Sequence, residues 1–231
     1  MTLWLLWKII PPFFEWSVLN SILTADSRKE CWDQMSTPGV GACWAFISHR
    51  LSLFTYGFYP EALRWRVDLS FVLLALAVVP VLYDKLPYRK YGLLYSAGFP
   101  IIAGWLLVGG LGLEPVDTDR FGGIMLTLIL GVTGITFSLP IGIALALGRL
   151  SNMPTLRTLC VFFIEFIRGV PLITLLFVAS TMLNYFLPPG TVYGLLTRVL
   201  IIVTLFGSAY MAEVIRGGLQ AISKGQHEAG D

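Results

Sequence analysis

Apolar runs separated by short polar segments dominate this chain. A membrane span needs about 20 mainly apolar residues, because a rise of about 1.5 Å per residue then covers roughly 30 Å of hydrocarbon. Residues 69–83, 91–113, 122–148, 154–187 and 195–215 meet or approach that length. The first of these is slightly short and carries Pro80 near its end. The run from Pro154 to Leu187 exceeds one span. It predicts a surface-lying or tilted beginning that passes into a spanning helix, closed by Pro188-Pro189-Gly190. Residues 1–14 are apolar but short, and Lys8 and Pro11-Pro12 interrupt them. No small-x-small cleavage site follows closely, so the segment reads as the outer half of a helix rather than a signal peptide. The expected architecture is an all-α integral membrane protein, a polytopic helical bundle.

Within 122–148, Gly131, Gly134, Ser138 and Gly142 recur at spacings of three or four. They share one face, and small residues on one face let another helix backbone approach closely in lipid. Pro140 is tolerable there if neighbours satisfy the freed carbonyl. Ser151 or Asn152 can cap the next helix, and Pro154 suits its first turn.

Residues 15–68 differ in character. They mix acids, bases, Trp and Tyr, which predicts short helices at the membrane surface with the aromatics as interfacial anchors. Cys31 and Cys43 lie in this segment. A bridge between them is available if the loop faces an oxidising compartment, and two unpaired thiols are the alternative. Cys160 reads as a small apolar packing residue. The resulting division is a partial spanning helix at 1–14, the loop at 15–68, two accessory helices within 69–113, a connector at 114–121 and a core at 122–231.

Composition agrees with lipid as solvent. The chain has 231 residues, 56% hydrophobic and 13% charged, against about 25% charged in soluble domains. Its net charge of +2 gives no basis for nucleic-acid binding. No phosphate-cradling glycine loop, zinc-spaced cluster or dinucleotide fingerprint occurs. No cofactor or metal is therefore expected, and any ATP must be bound by another subunit. His49 and His227 are solitary. Basic residues set sidedness. Lys85, Arg89 and Lys90 follow one helix, Arg149 and Arg157 follow the next but one, and Arg216 and Lys224 follow the last. The alternation puts 84–91, 149–157 and 216–231 in the cytoplasm, and 15–68 and 114–121 outside.

Ionisable residues within apolar runs are costly unless paired or in a water-filled cavity. Glu165 and Arg168 stand three apart and can face each other across one helical turn. They read either as a structural ion pair or as a gating or subunit-contact element. Glu213 has Arg216 three residues later, a helix-end pair at its simplest. Arg198 is expected to snorkel to the outer interface.

The segment Ser208-Ala209-Tyr210-Met211-Ala212-Glu213-Val214-Ile215-Arg216-Gly217-Gly218-Leu219-Gln220-Ala221-Ile222, followed by Lys224-Gly225-Gln226-His227-Glu228-Ala229, closely resembles the polar amino-acid permeases of ABC importers. Val116-Asp117-Thr118, the small-residue helix ending Leu139-Pro140-Ile141-Gly142-Ile143-Ala144-Leu145-Ala146-Leu147-Gly148-Arg149, and Arg168-Gly169-Val170-Pro171-Leu172-Ile173 extend the resemblance over about residues 117–231. The N-terminal helices and the cysteine-bearing loop are similar to the M-type subunit of general L-amino-acid transporters. The resemblance implies a type I importer core in the bacterial inner membrane. Its partners would be cytosolic ATPase subunits, a second permease subunit and a periplasmic amino-acid-binding protein. It also implies that Lys224, Gly225, Gln226, Glu228, Ala229 and Gly230 open the family's EAA coupling loop, with Gly230 where alanine is usual. Ser208, Tyr210 and Glu213 become candidates for a helix lining the translocation path, a carboxylate there being suited to a substrate ammonium. The rest of the loop and usually two further helices would follow Asp231 in the family. The expectation is a core incomplete at the C-terminus, and also at the N-terminus, that does not transport alone. A membrane-embedded enzyme would need convergent acids, His or Cys at one depth, which the spans do not offer. A purely structural membrane protein would leave the Gly225-Gln226-His227-Glu228-Ala229 segment without a purpose.

Overall fold

In lipid every backbone N–H and C=O must be satisfied within its own segment, so apolar runs of this length become helices. The computed structural model describes residues 2–182, 185 and 193–221. Among them helices account for the regular structure, with isolated bridges at Ile22–Cys43 and Gly110–Leu113. The chain forms two compact units, Met1–Gly57 and Phe58–Asp231.

The first unit holds α1 (Thr2–Phe14), α2 (Arg28–Met35) and α3 (Ala45–Tyr56). Pro11 and Pro12 do not end α1, which runs through them into a π-helical turn at Glu15–Leu19. The carbonyls they leave without donors belong to exposed residues, Trp7 and Lys8. Ser27 caps α2 by accepting from the Glu30 amide at 3.2 Å, while Glu30 accepts from the Asp26 amide at 2.9 Å. A small core gathers Ile22, Ala25, Cys31 and Ala45. Cys31 and Cys43 are joined as a disulfide with Cα atoms 6.2 Å apart. The Trp44 indole donates to the Ser17 carbonyl at 2.5 Å.

The second unit begins with α4 (Arg64–Leu82), which starts earlier than the apolar run at Leu69 suggests. Arg66 is buried there and donates to the Glu114 carbonyl at 2.7 Å. Tyr59, just ahead, donates its hydroxyl to the Leu107 carbonyl at 2.8 Å. Burial pushes that hydroxyl above the ordinary phenol pKa, so it stays a neutral donor. Helix α5 (Arg89–Val108) ends short of the expected Leu113. Gly109 terminates it at φ +85°, where a Cβ would come within 2.3 Å of the Glu114 carbonyl oxygen.

Helix α6 (Gly123–Leu150) leads through a short turn to the amphipathic α7 (Pro154–Gly169). Then comes α8 (Leu172–Phe177), extended by a π-helical turn at Val178–Met182. The two arms meet at 100°. Pro171 supplies no N–H and forces Val170 out of the helical region, to φ −101° and ψ 130°. Helix α9 (Leu195–Gln220) does not end at Ile215 but continues through Gly217 and Gly218. Among the described residues four helices are long and apolar enough to cross a membrane, or five if the bent pair is one span.

The most extensive seam lies between α6 and α9. A Cβ at Gly142 would sit 2.7 Å from Met211 Cβ, one at Gly134 3.0 Å from Val203 Cγ1, and one at Gly207 3.2 Å from Ser138 Cβ. Gly131, on the same stripe, faces open space instead. Where α4, α5, α6 and α9 converge less closely, they leave an apolar cavity of about 260 Å³ lined by residues such as Phe99, Leu107, Met125 and Leu200. Gly142→Val should therefore cost about 1–3 kcal/mol through overpacking, while Gly131→Ala should be neutral or slightly stabilising. Thermal unfolding in detergent checks both.

Candidate functional site

Glu213 is the centre of a charge cluster at one end of α6, α7 and α9. Each side chain arrives there for a local reason. Ser151 Oγ accepts from the Met153 amide at 3.1 Å and Pro154 occupies the first turn of α7, so the chain reverses sharply after α6. Gly148 lets α7 close in, since a Cβ there would be 2.5 Å from Cys160 Sγ. Arg149, in the last turn of α6, is thereby brought beside α7 and α9. Under the charges lies an apolar floor drawn from the same three helices, with Ala146, Ile164 and Ala212 buried together.

Arg149 Nη1 donates to Glu213 Oε1 at 2.5 Å and to Glu165 Oε1 at 3.2 Å. Arg216 grips Glu213 Oε2 through Nη2 at 2.8 Å and Nε at 3.0 Å. Its Nη1 also reaches Gln220 Oε1 at 3.3 Å, which links successive turns and carries α9 past Ile215. Arg168 Nη1 stands 3.8 Å from Glu213 Oε2, and its guanidinium lies 5.5 Å from the centre of the Tyr210 ring. The Glu213 side chain is 15% exposed and that of Glu165 57%. Three guanidiniums thus surround one half-sunk carboxylate, with a second carboxylate at the rim.

The expected Glu165–Arg168 pairing is not what forms. Glu165 pairs with Arg149, and Arg168 turns to Glu213 and Tyr210. The local pair loses because Glu213 is less exposed and its charge attracts more strongly. The Glu213–Arg216 pair does form. Arg149 escaped the sequence reading, because its partner Glu213 is 64 positions away. The available signal was a basic residue ending a helix at the level of Glu165 and Glu213. Arg198 does not snorkel. It is buried and donates from Nε to the Tyr193 carbonyl at 2.9 Å and from Nη1 to the Ser180 carbonyl at 2.8 Å. Carbonyls left over by irregular backbone satisfy it without leaving the protein.

Among the path candidates, Ser208 is fully buried and donates to the Thr204 carbonyl at 2.6 Å. Tyr210 is 43% exposed. The two residues lie roughly 200° apart around the helix, so they occupy different faces. Glu213 has both oxygens engaged, and a substrate ammonium could reach it only by displacing a guanidinium. Lys224, Gly225, Gln226, Glu228, Ala229 and Gly230 lie outside the described residues. Among the described residues no group of three or more His, Cys, Asp or Glu is placed to hold a metal ion.

Residues 138–231 match the family described as "Binding-protein-dependent transport system inner membrane component". The chain is 46% identical over 231 residues to the inner membrane amino-acid ABC transporter permease protein YhdY of Escherichia coli (strain K12). That alignment covers 99% of this chain and 61% of the relative. It is 41% identical over 291 aligned positions to the glutamate/glutamine/aspartate/asparagine transport system permease protein BztC of Rhodobacter capsulatus, covering 100% of this chain and 66% of the relative. The chain thus spans less than two thirds of the length of either. A solved structure described as an amino acid ABC transporter with histidines is 33% identical, over 46% of this chain and 49% of that one, with a TM-score of 0.42.

The unequal burial of the two carboxylates gives a direct expectation. Glu213→Gln leaves Arg168 and Arg216 without their carboxylate and Arg149 with only Glu165, and should destabilise the protein by about 3–5 kcal/mol. Glu165→Gln removes an exposed partner and should cost under about 1 kcal/mol. Denaturant titration of helicity in micelles measures the difference.

Proposed function

Since this chain belongs to the inner membrane components of binding-protein-dependent transport systems, we propose that it acts as a multi-pass permease subunit of an ATP-driven amino-acid importer. Its substrate class is the polar amino acids. The supporting observation is the course of α9. This helix packs along α6 through small residues, passes the Glu213 cluster and runs to Gln220, just before the coupling candidates. Displacement of residues 224–230 by a cytosolic ATPase would thus act on a continuous helix already fastened to α6 and α7. The response is a change in which side of the bundle is open, a bias on a two-state equilibrium rather than covalent chemistry.

In this reading ATP is hydrolysed by the partner ATPases, and this chain performs no catalysis. A second permease subunit completes the path, and a periplasmic binding protein delivers the amino acid to the outer side. Residues 15–68 and the Cys31–Cys43 bridge face that side. Tyr210 and Glu213 border the path near its cytoplasmic mouth. Ser208 contributes by fitting the seam rather than by touching substrate.

The test is co-purification of the cognate ATPase with the tagged protein from membranes that also contain the partner permease. Glu228→Ala should reduce ATPase recovery about tenfold, the equivalent of roughly 1.4 kcal/mol, with helicity unchanged. Equal recovery from both proteins would contradict the docking role of this segment.

A further inference from the structure

We propose that the turn between α6 and α7 binds the phosphate oxyanion of an anionic phospholipid headgroup. A cavity of about 380 Å³ lies there, lined by Arg149, Ser151, Asn152, Pro154, Arg157 and Thr158 together with Leu150. Two guanidiniums border it and no carboxylate does. The hydrogen bonds from Arg149 to Glu165 and Glu213 both leave from Nη1, so the rest of its fork is free of carboxylates among the described residues. Arg157 is exposed and has no ion pair among the described residues. Among the described residues, and counting Arg168 and Arg216, this end of α6, α7 and α9 sets four guanidiniums against the two carboxylates of Glu165 and Glu213. The local excess is positive, and planar guanidinium forks match phosphate oxygens two at a time. The Ser151, Asn152 and Thr158 side chains add neutral hydrogen-bonding groups.

The surroundings distinguish a lipid from a free ion. Leu150, Met153, Leu156 and Leu159 are all exposed beside the cavity. In water such a rim would be costly, but against a bilayer it meets acyl chains while the arginines meet the headgroup level. Basic pockets between spanning helices on the cytoplasmic side are suited to anionic headgroups. The site requires only that the helices sit in a bilayer. It does not depend on the chain carrying amino acids, so failure of the transport reading leaves it standing. A phosphate held here also shares Arg149 with Glu213, which ties lipid occupancy to the charge cluster.

The experiment is native mass spectrometry of the protein in micelles, titrated with phosphatidylglycerol or phosphatidylcholine, with and without millimolar inorganic phosphate. Phosphatidylglycerol should bind at least fivefold more tightly than phosphatidylcholine. Arg157→Gln should weaken phosphatidylglycerol binding about fivefold, the equivalent of about 1 kcal/mol per basic residue at the surface. Arg157→Lys should keep most of it, and Lys90→Gln, an exposed charge at the start of α5, should leave it unchanged. Equal binding of the two lipids, or equal binding by the wild type and Arg157→Gln, would overturn the proposal. Displacement of phosphatidylglycerol by inorganic phosphate would overturn the headgroup assignment in favour of a free anion.

Discussion

A carboxylate at the edge of the hydrocarbon is tolerable only when counter-charges reach it, and Glu213 makes that demand on three helices at once. Arg216 comes from its own helix, Arg149 from α6 and Arg168 from α7. None of these contacts would be worth much alone in water, where exposed pairs contribute under about 1 kcal/mol. At 15% exposure the balance changes, because desolvation makes the unpaired state expensive. The cluster therefore specifies where α6, α7 and α9 converge, and Ala146, Ile164 and Ala212 are buried together at that convergence. The 3.8 Å separation of Arg168 makes it the loosest of the three guanidiniums. It is shared with the Tyr210 ring, which leaves it the contact most easily exchanged.

Away from that end, the core is held by shape rather than charge. Helices in lipid gain little from hiding apolar surface, so close backbone approach must supply the packing. Gly134, Ser138 and Gly142 on α6 meet Val203, Gly207 and Met211 on α9, and the fit leaves no room for an added methyl at Gly142. Charge at one end and close packing along the shaft make α6 and α9 one element. The bend at Val170-Pro171 is the contrasting feature, since there the chain gives up helical continuity.

Much of this was legible in the sequence, and the misses have physical causes. Apolar length located the helices because a bilayer leaves few alternatives, and the small-residue spacing on α6 identified the face that packs. Ends were less well read. Arg64, Arg66 and Asp68 are helical although charged, with Arg66 finding the Glu114 carbonyl within the folded unit. Glycines at 109, 110 and 112 looked like part of a helix but take positive φ and close a turn. Charge pairing was the weakest inference. Spacing of three suggested Glu165 with Arg168, yet a partner supplied by a different helix prevailed, and spacing along one helix carries no information about such a partner. For the same reason the burial of Arg198 could not be seen, because its acceptors are carbonyls, which every residue has.

Arg149 and Glu213 act as one unit that fastens α6 to α9. A double-mutant cycle on unfolding in micelles, with Arg149→Gln, Glu213→Gln and the double variant, measures it directly. A coupling energy of about 1–3 kcal/mol is the predicted result, in the range for residues in direct contact. Costs that add within about 0.3 kcal/mol would show two independent charges and contradict the account.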